Sequence, residues 1–194
     1  MSSSPNTSPF DVLINVVLRG GYDKIRVQSL PTRAPEVWRG LGCWHSSDVW
    51  SLGVTVSFSL SISTSANQEK LAHWLASSAI FGAEDKIVQG LTEAWCIAKI
   101  RRLIGPLGPP VNNVEYEEEF LVAEELGSTF EHPDTKAETQ FITVGTLRQE
   151  LEKLPGPKVS SELLDFIESL LVIDHTKRPT ALEALRHSYL QSLP

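Results

Sequence analysis

Cysteine is scarce in this sequence: only Cys43 and Cys96 occur among 194 residues. Two cysteines so far apart exclude a disulfide framework and a multi-cysteine zinc site, and they favour a reducing compartment. Cys96 follows Trp95 in a helical pattern, where a free cysteine behaves as a small hydrophobic residue, so we expect it in the core. Cys43, His45 and Asp48 have no fourth partner nearby, and we favour a structural role over a metal site.

The sequence also has few basic residues and no long hydrophobic run. The chain has 17 Lys and Arg against 24 Asp and Glu, a net charge of -7, which argues against a nucleic-acid or anionic-membrane surface and favours basic partners. The run FDVLINVVL is too short to cross a bilayer, and the start MSSSPNTSPF lacks the pattern of a signal peptide. We expect a cytoplasmic or nuclear protein with a basic protein or peptide partner, no nucleic acid and no membrane.

The overall composition, with 41% hydrophobic and 21% charged residues, is typical of one folded domain. Residues 1–9 are mostly Ser, Pro, Asn and Thr and predict a disordered tail. In residues 10–30, DVLINVVL, a Gly-Gly turn and KIRVQSL predict strand, turn and strand. Pro35 opens and Gly40 closes a short helix.

A buried helix is predicted to start at Asp48, with Ser46 and Ser47 offering an N-cap. Residues 56–63 then read VSFSLSIS, a period-two alternation typical of a strand. Because this conflicts with the helix, we interpret residues 56–70 as an unusual insertion and hypothesise a retained intron, although helical spacing leaves both readings open. Spliced transcripts without these codons would support the hypothesis.

The remaining segments alternate between helix and irregular chain. KIVQGLTEAWCIAKIRRLIG predicts an amphipathic helix that ends at Gly105, and LAHWLASSAIF before it has helical spacing. Residues 106–157 read as an irregular acidic insert with six glutamates between Glu115 and Glu125. SSELLDFIESLL and TALEALRHSYL each predict a helix with a Ser or Thr cap.

RAPEV (33–37), SSDVWSLGV (46–54) and LLVIDHTKRPTALEALRHSYL (170–190) occur in an order that resembles the C-terminal lobe of eukaryotic serine/threonine protein kinases, from the Ala-Pro-Glu motif onward. The Arg before this motif and the acidic insert resemble the group of cyclin-dependent, MAP and SR-protein kinases, and SR-protein-kinase-like sequences are the nearest. The resemblance implies a mainly α-helical fold, with residues 31–194 as the lobe and 10–30 as an activation-segment-like remnant.

The resemblance also implies roles for particular residues. Glu36 and Arg178 match a buried ion pair, Asp48 matches the aspartate that binds the catalytic-loop backbone, and Trp50 matches the aromatic beneath the Ala-Pro-Glu helix. The loop that receives the substrate residue after the phosphorylation site matches four positions: Leu30, Pro31, Thr32 and Arg33.

The sequence lacks the residues of phosphoryl transfer. No Gly-x-Gly-x-x-Gly, His-Arg-Asp or Asp-Phe-Gly occurs, and only 33 residues precede Ala34, so we expect this chain to have no N-lobe, no catalytic loop, no catalytic residue and no ATP or Mg site, although the complete family domain binds both. Three hypotheses stay open: a catalytically incompetent truncated kinase, a pseudokinase-like module binding a basic partner, and an incomplete record of an active kinase. The glutamates 115–125 suit such a partner, but a solvated face is the simpler interpretation.

Overall fold

A computed structural model of the chain describes residues 28–63, 80–132, 134–154 and 158–192. Within these ranges the fold is mainly helical, as predicted, and the one strand pair is antiparallel: β1 (Thr129–Glu131) lies beside β2 (Glu138–Gln140) with Phe130 opposite Thr139. Short 3-10 turns occupy Leu30–Thr32 and Val114–Tyr116. The α-helices are α1 (Pro35–Trp38), α2 (His45–Ser63), α3 (Thr92–Leu103), α4 (Glu117–Glu125), α5 (Leu147–Glu152), α6 (Ser161–Leu170), α7 (Ala181–Ala184) and α8 (Ser188–Gln191).

Helix α2 packs closely against the C-terminal end of α6. A Cβ built on Gly53 would lie 2.8 Å from Leu171 Cγ, so only a residue without a side chain allows this approach. On other faces α2 buries Trp50 and Val54 in the main core. That core joins α1, α3 and α6 through fully buried side chains, among them Trp38, Trp95, Ile97 and Ile167.

Helix α2 begins at His45, three residues before the predicted start, and it continues through residues 56–63. The strand interpretation of the VSFSLSIS alternation is therefore wrong. Two hydroxyls where this stretch begins bond to helical carbonyls four residues back. Thr55 Oγ1 donates to Ser51 O at 2.8 Å, and Ser57 Oγ donates to Gly53 O at 2.8 Å. Hydroxyls bonded to the carbonyl four residues back are compatible with a helix, so alternation with serine does not exclude one.

Helix α3 starts at Thr92 rather than in the segment before it, because Gly90 has a φ of 83° that ends any helical course there. Its end before Gly105 agrees with the prediction. Lys99 is buried in α3 and its Nζ lies 3.1 Å from Asp85 Oδ2, so the preceding loop supplies the counter-charge. Phe120 and Ala123 are buried on α4.

The irregular insert expected over residues 106–157 is wrong in its central part, where α4, the strand pair and α5 form. In α4 the buried residues Phe120 and Ala123 have helical spacing, but the many glutamates around them make this spacing hard to recognise in the sequence. Helix α5 begins with a capping box, in which Thr146 N donates to Gln149 Oε1 at 2.9 Å and Thr146 Oγ1 accepts from Gln149 N at 3.4 Å. Arg148 then joins α5 to α6, with its Nε 3.0 Å from Glu168 Oε1.

The last helices confirm the predicted caps but divide one predicted helix. Ser160 Oγ accepts from Leu163 N at 3.2 Å and begins α6, while Thr180 and Glu183 form a capping box at α7. TALEALRHSYL forms two short helices, because His187 leaves the helical conformation and its Nδ1 caps α8 by accepting from Tyr189 N at 3.3 Å.

Several predictions fall on residues outside the described ranges: the tail 1–9, the strand-turn-strand through residue 27, residues 64–70 of the proposed insertion and the helical pattern of residues 71–79. In the described ranges, no helix combines the length and apolar character needed to cross a membrane.

Candidate functional site

The substrate-side loop is a single 3-10 turn whose ends are tied to α2. Thr32 N donates to Ser29 O at 3.1 Å, and Ser51 Oγ donates to Thr32 O at 3.1 Å. Gln28 fastens the start of the loop, since its Nε2 donates to Ser51 Oγ at 2.8 Å and its Oε1 accepts from Ala34 N at 2.9 Å. The loop conformation is therefore set by the first two turns of α2.

The four residues matched to this loop differ in exposure. Leu30, Pro31 and Thr32 are half-buried, which leaves part of each available for contact. Arg33 is only 3% exposed, so its side chain faces the interior. In this it differs from the other three residues that the sequence assigns to the loop. Its Nη1 donates to Tyr116 Oη at 3.1 Å, a partner for which the sequence gives no signal.

Glu36 and Arg178 meet in the core. The carboxylate and guanidinium form a two-point pair, with Nη1 to Oε1 at 2.8 Å and Nη2 to Oε2 at 2.9 Å, and their side chains are 1% and 0% exposed. Ser47 Oγ donates a third hydrogen bond to Glu36 Oε1 at 2.7 Å. The remaining Arg178 donors reach Val172 O, at 3.1 Å from Nε, and Ser46 O.

Asp48 and Trp50 occupy opposite environments on α2. Asp48 lies exposed in the first turn, and it accepts no hydrogen bond from any residue in the described ranges. Trp50 is fully buried, with the Arg178 guanidinium carbon 5.3 Å from its ring centroid and Phe81 in an edge contact at 6.4 Å. Trp50 thus supports the buried pair, whereas Asp48 offers an exposed carboxylate at a helix start, where the helix dipole favours an anion.

Both cysteines have thiol pKa values above the ordinary value. Burial raises the pKa of the Cys43 thiol, the nearby Asp48 and Glu36 carboxylates raise it further, and a hydrogen bond with Ser47 opposes them. Burial raises the pKa of Cys96 to about 12, and its core position is confirmed by an exposure of 2%. Among the described residues, no three His, Cys, Asp or Glu side chains come together in a group that holds a metal.

The acidic helix α4 borders a groove of about 370 Å³. Its lining is partly apolar and partly acidic, and includes Leu107, Pro109, Pro110, Glu117, Phe120 and Leu121. Glu117 and Glu118 are exposed, while Glu119 Oε2 is buried with no hydrogen-bond partner in the described part of the chain. Arg101 Nη2 lies 3.5 Å from Glu124 Oε2 and neutralises only part of this charge.

Comparison with known proteins places the chain in a family. The protein kinase domain family matches residues 23–190, which is most of the 194 residues, and the chain belongs to this family. A crystal structure of a kinase domain is 21% identical with a TM-score of 0.43, and the match covers 86% of this chain and 43% of that chain. The chain therefore spans less than half the length of that solved chain. No curated protein matches the chain.

Proposed function

We propose that this chain is the C-terminal lobe of a serine/threonine protein kinase domain of the SR-protein-kinase-like type, and that it presents a substrate-side surface to a basic protein or peptide. The observation that carries the proposal is that Gln28 and Ser51 hold the Leu30–Thr32 turn against α2. This turn lies shortly before Glu36 in the chain, the residue that pairs with Arg178. A loop held in one conformation loses little entropy when a peptide binds, which favours recognition.

On this proposal we expect no ATP or Mg site in the described residues. No three metal-ligating side chains come together in them, and the sequence contains no Gly-x-Gly-x-x-Gly, His-Arg-Asp or Asp-Phe-Gly. Phosphoryl transfer requires positioned phosphates, metal ions and a carboxylate at the attacking hydroxyl. We therefore propose that this chain alone binds substrate without catalysing transfer, and we derive no reaction step from its residues.

The charge of α4 supports a basic occupant. Glu117, Glu118 and Glu119 stand in its first turn, and the groove beside them offers exposed apolar surface from Leu121 and Pro109. A peptide that alternates arginine with small residues satisfies both, because guanidinium groups form two-point hydrogen bonds with carboxylates and their stems cover apolar surface. Attraction of this kind weakens as salt shortens the Debye length from about 10 Å at 0.1 M.

Two measurements on the 194-residue chain test the proposal. A synthetic arginine-serine peptide is expected to bind with salt-sensitive affinity, and Mg-ATP is expected to leave the melting temperature unchanged. Replacing the exposed Glu117 and Glu118 by Gln should abolish peptide binding. The matched control replaces two exposed glutamates elsewhere, Glu138 and Glu152, and should retain it despite the same change in net charge.

The outcomes separate the alternatives. Peptide binding that survives neutralisation of α4 would refute the acidic surface as the docking site. Thermal stabilisation by Mg-ATP would refute incompetence of the chain alone. Peptide binding without ATP binding is the result expected of a pseudokinase-like binding module, and phosphorylation of the peptide by a longer product of the same gene would instead identify this lobe as part of an active kinase.

A further inference from the structure

Arg33 is a buried cation that has no carboxylate partner among the described residues. Its contacts are the π face of Trp38, with 4.5 Å between the guanidinium carbon and the ring centroid, the ring of Tyr116 at 6.0 Å and the oxygens of Tyr116 and Gln28. Nε is buried and has no hydrogen-bond partner in the part of the chain that the structure describes. Because burying an unpaired charge is costly, the aromatic faces and the two oxygens carry the stabilisation that an acid ordinarily provides.

Tyr116 is the last residue of the 3-10 turn Val114–Tyr116 and directly precedes α4. Its ring meets Trp38 edge-on, at 5.2 Å between centroids and 82° between planes. The chain leading to it is attached to the end of α1: Asn113 Nδ2 donates to Trp38 O at 2.9 Å, and Val111 N donates to Arg39 O at 2.8 Å. The acidic helix therefore starts from a residue that is fixed on α1.

A continuous set of hydrogen bonds connects Tyr116 to the substrate-side loop. Tyr116 Oη accepts from Arg33 Nη1 at 3.1 Å, and Arg33 Nη2 donates to Gln28 O at 3.3 Å. The Gln28 side chain in turn accepts from Ala34 N at 2.9 Å, which closes the loop on its far side. The start of α4 and the loop thus share one buried guanidinium.

We propose that Tyr116 is a positioning residue for the substrate-side loop, and that through Arg33 it couples a basic peptide bound at α4 to the conformation of residues 30–34. The inference rests on the proposed function, since the substrate role of both surfaces is proposed there. Coupling of this kind is reciprocal: a peptide that stabilises the start of α4 stabilises the loop, and a loosened loop weakens the peptide.

The first arm of the test measures backbone hydrogen exchange in the full chain without any ligand. Tyr116→Phe keeps the ring but removes the oxygen, and it is expected to raise exchange of the Arg33 and Ala34 amides about tenfold, since a hydrogen bond to a charged group is lost. Amides of α6 should not change. Tyr189→Phe, the same substitution on α8, is the control and should leave the loop unchanged. An unchanged loop in Tyr116→Phe, or an equal rise in α6, would overturn the proposal.

The second arm adds the arginine-serine peptide as a probe. In the unsubstituted chain the peptide should slow exchange at residues 30–34, and in Tyr116→Phe this slowing should disappear. Equal slowing in both chains would overturn the coupling. If the peptide binds neither chain, the proposed function fails at α4, while the first arm still decides whether Tyr116 positions the loop.

Discussion

Replacing Arg178 by alanine is expected to destabilise the fold severely, because among the described residues it leaves the buried Glu36 carboxylate with one donor, Ser47 Oγ at 2.7 Å. Removal of one partner from a buried pair costs about 3 to 5 kcal/mol. Arg178 also donates to Val172 O and Ser46 O, so its loss removes these hydrogen bonds as well. We therefore expect Arg178→Ala near the upper end of that range and Glu36→Ala near the lower end.

This magnitude is large against the whole stability of a domain, which is about 5 to 15 kcal/mol. For a domain of this size, about 1 kcal/mol lowers the melting temperature by about 2 to 4 °C, so each single variant should melt about 6 to 20 °C lower. Urea unfolding followed by tryptophan fluorescence measures the free energy of unfolding, because Trp38, Trp50 and Trp95 are buried in the folded chain and become exposed when it unfolds.

A double-variant cycle decides whether the pair itself is responsible. Once one partner is gone, removing the other also removes a stranded charge, so the double variant Glu36→Ala with Arg178→Ala should lose less than the sum of the single losses. Lys177→Ala is the control, since this neighbour is 76% exposed and should change stability little. Additive losses, or a loss below about 1 kcal/mol for either single variant, would refute the buried-pair reasoning.

Three further results are expected. Gly53→Ala should destabilise the chain by about 1 to 3 kcal/mol in urea unfolding, despite the better helix propensity of alanine, because the new Cβ meets Leu171; a stabilised variant would contradict the close packing. Iodoacetamide at pH 8 should label Cys43 before Cys96, since the pKa of Cys96 is about 12. That raised pKa contributes stability below the ordinary value of 9.0, and the contribution is lost as the pH rises toward about 12; mass spectrometry that finds Cys96 labelled first would contradict its burial. Thr180→Ala should cost about 1 kcal/mol of thermal stability through loss of the α7 cap, and an unchanged melt would contradict that role.

The sequence predicts helices well where a cap and an apolar stripe coincide. Ser160 and Thr180 mark the starts of α6 and α7 because their hydroxyls accept the early backbone amides, and Pro35 marks α1 because its ring suits the first helical position. Prediction from the sequence fails where two patterns in the same short segment favour different structures. The serines of α2 alternate with apolar residues as in a strand, although the hydroxyl of Ser57 bonds to the carbonyl four residues back in the helix. The glutamates of α4 obscure the helical spacing of its buried residues, Phe120 and Ala123.

The site is less predictable than the helices, because its contacts join residues far apart in the chain. Gln28 meets Ser51 and Arg33 meets Tyr116, the latter across 83 positions, and neither contact leaves a periodic or compositional trace. The resemblance to kinases directs attention to Glu36 and Arg178, yet it gives no indication of the aromatic contacts that hold Arg33.

The Glu36–Arg178 pair has a consequence for how the chain is made. The two residues are 142 positions apart, so at about 5 to 20 residues per second the ribosome delivers Arg178 roughly 7 to 28 s after Glu36. During that interval α1 and α2 have no guanidinium to neutralise the carboxylate, and they cannot close into the final core. The nascent chain therefore completes this part of its core only after the whole segment between Glu36 and Arg178 has been synthesised.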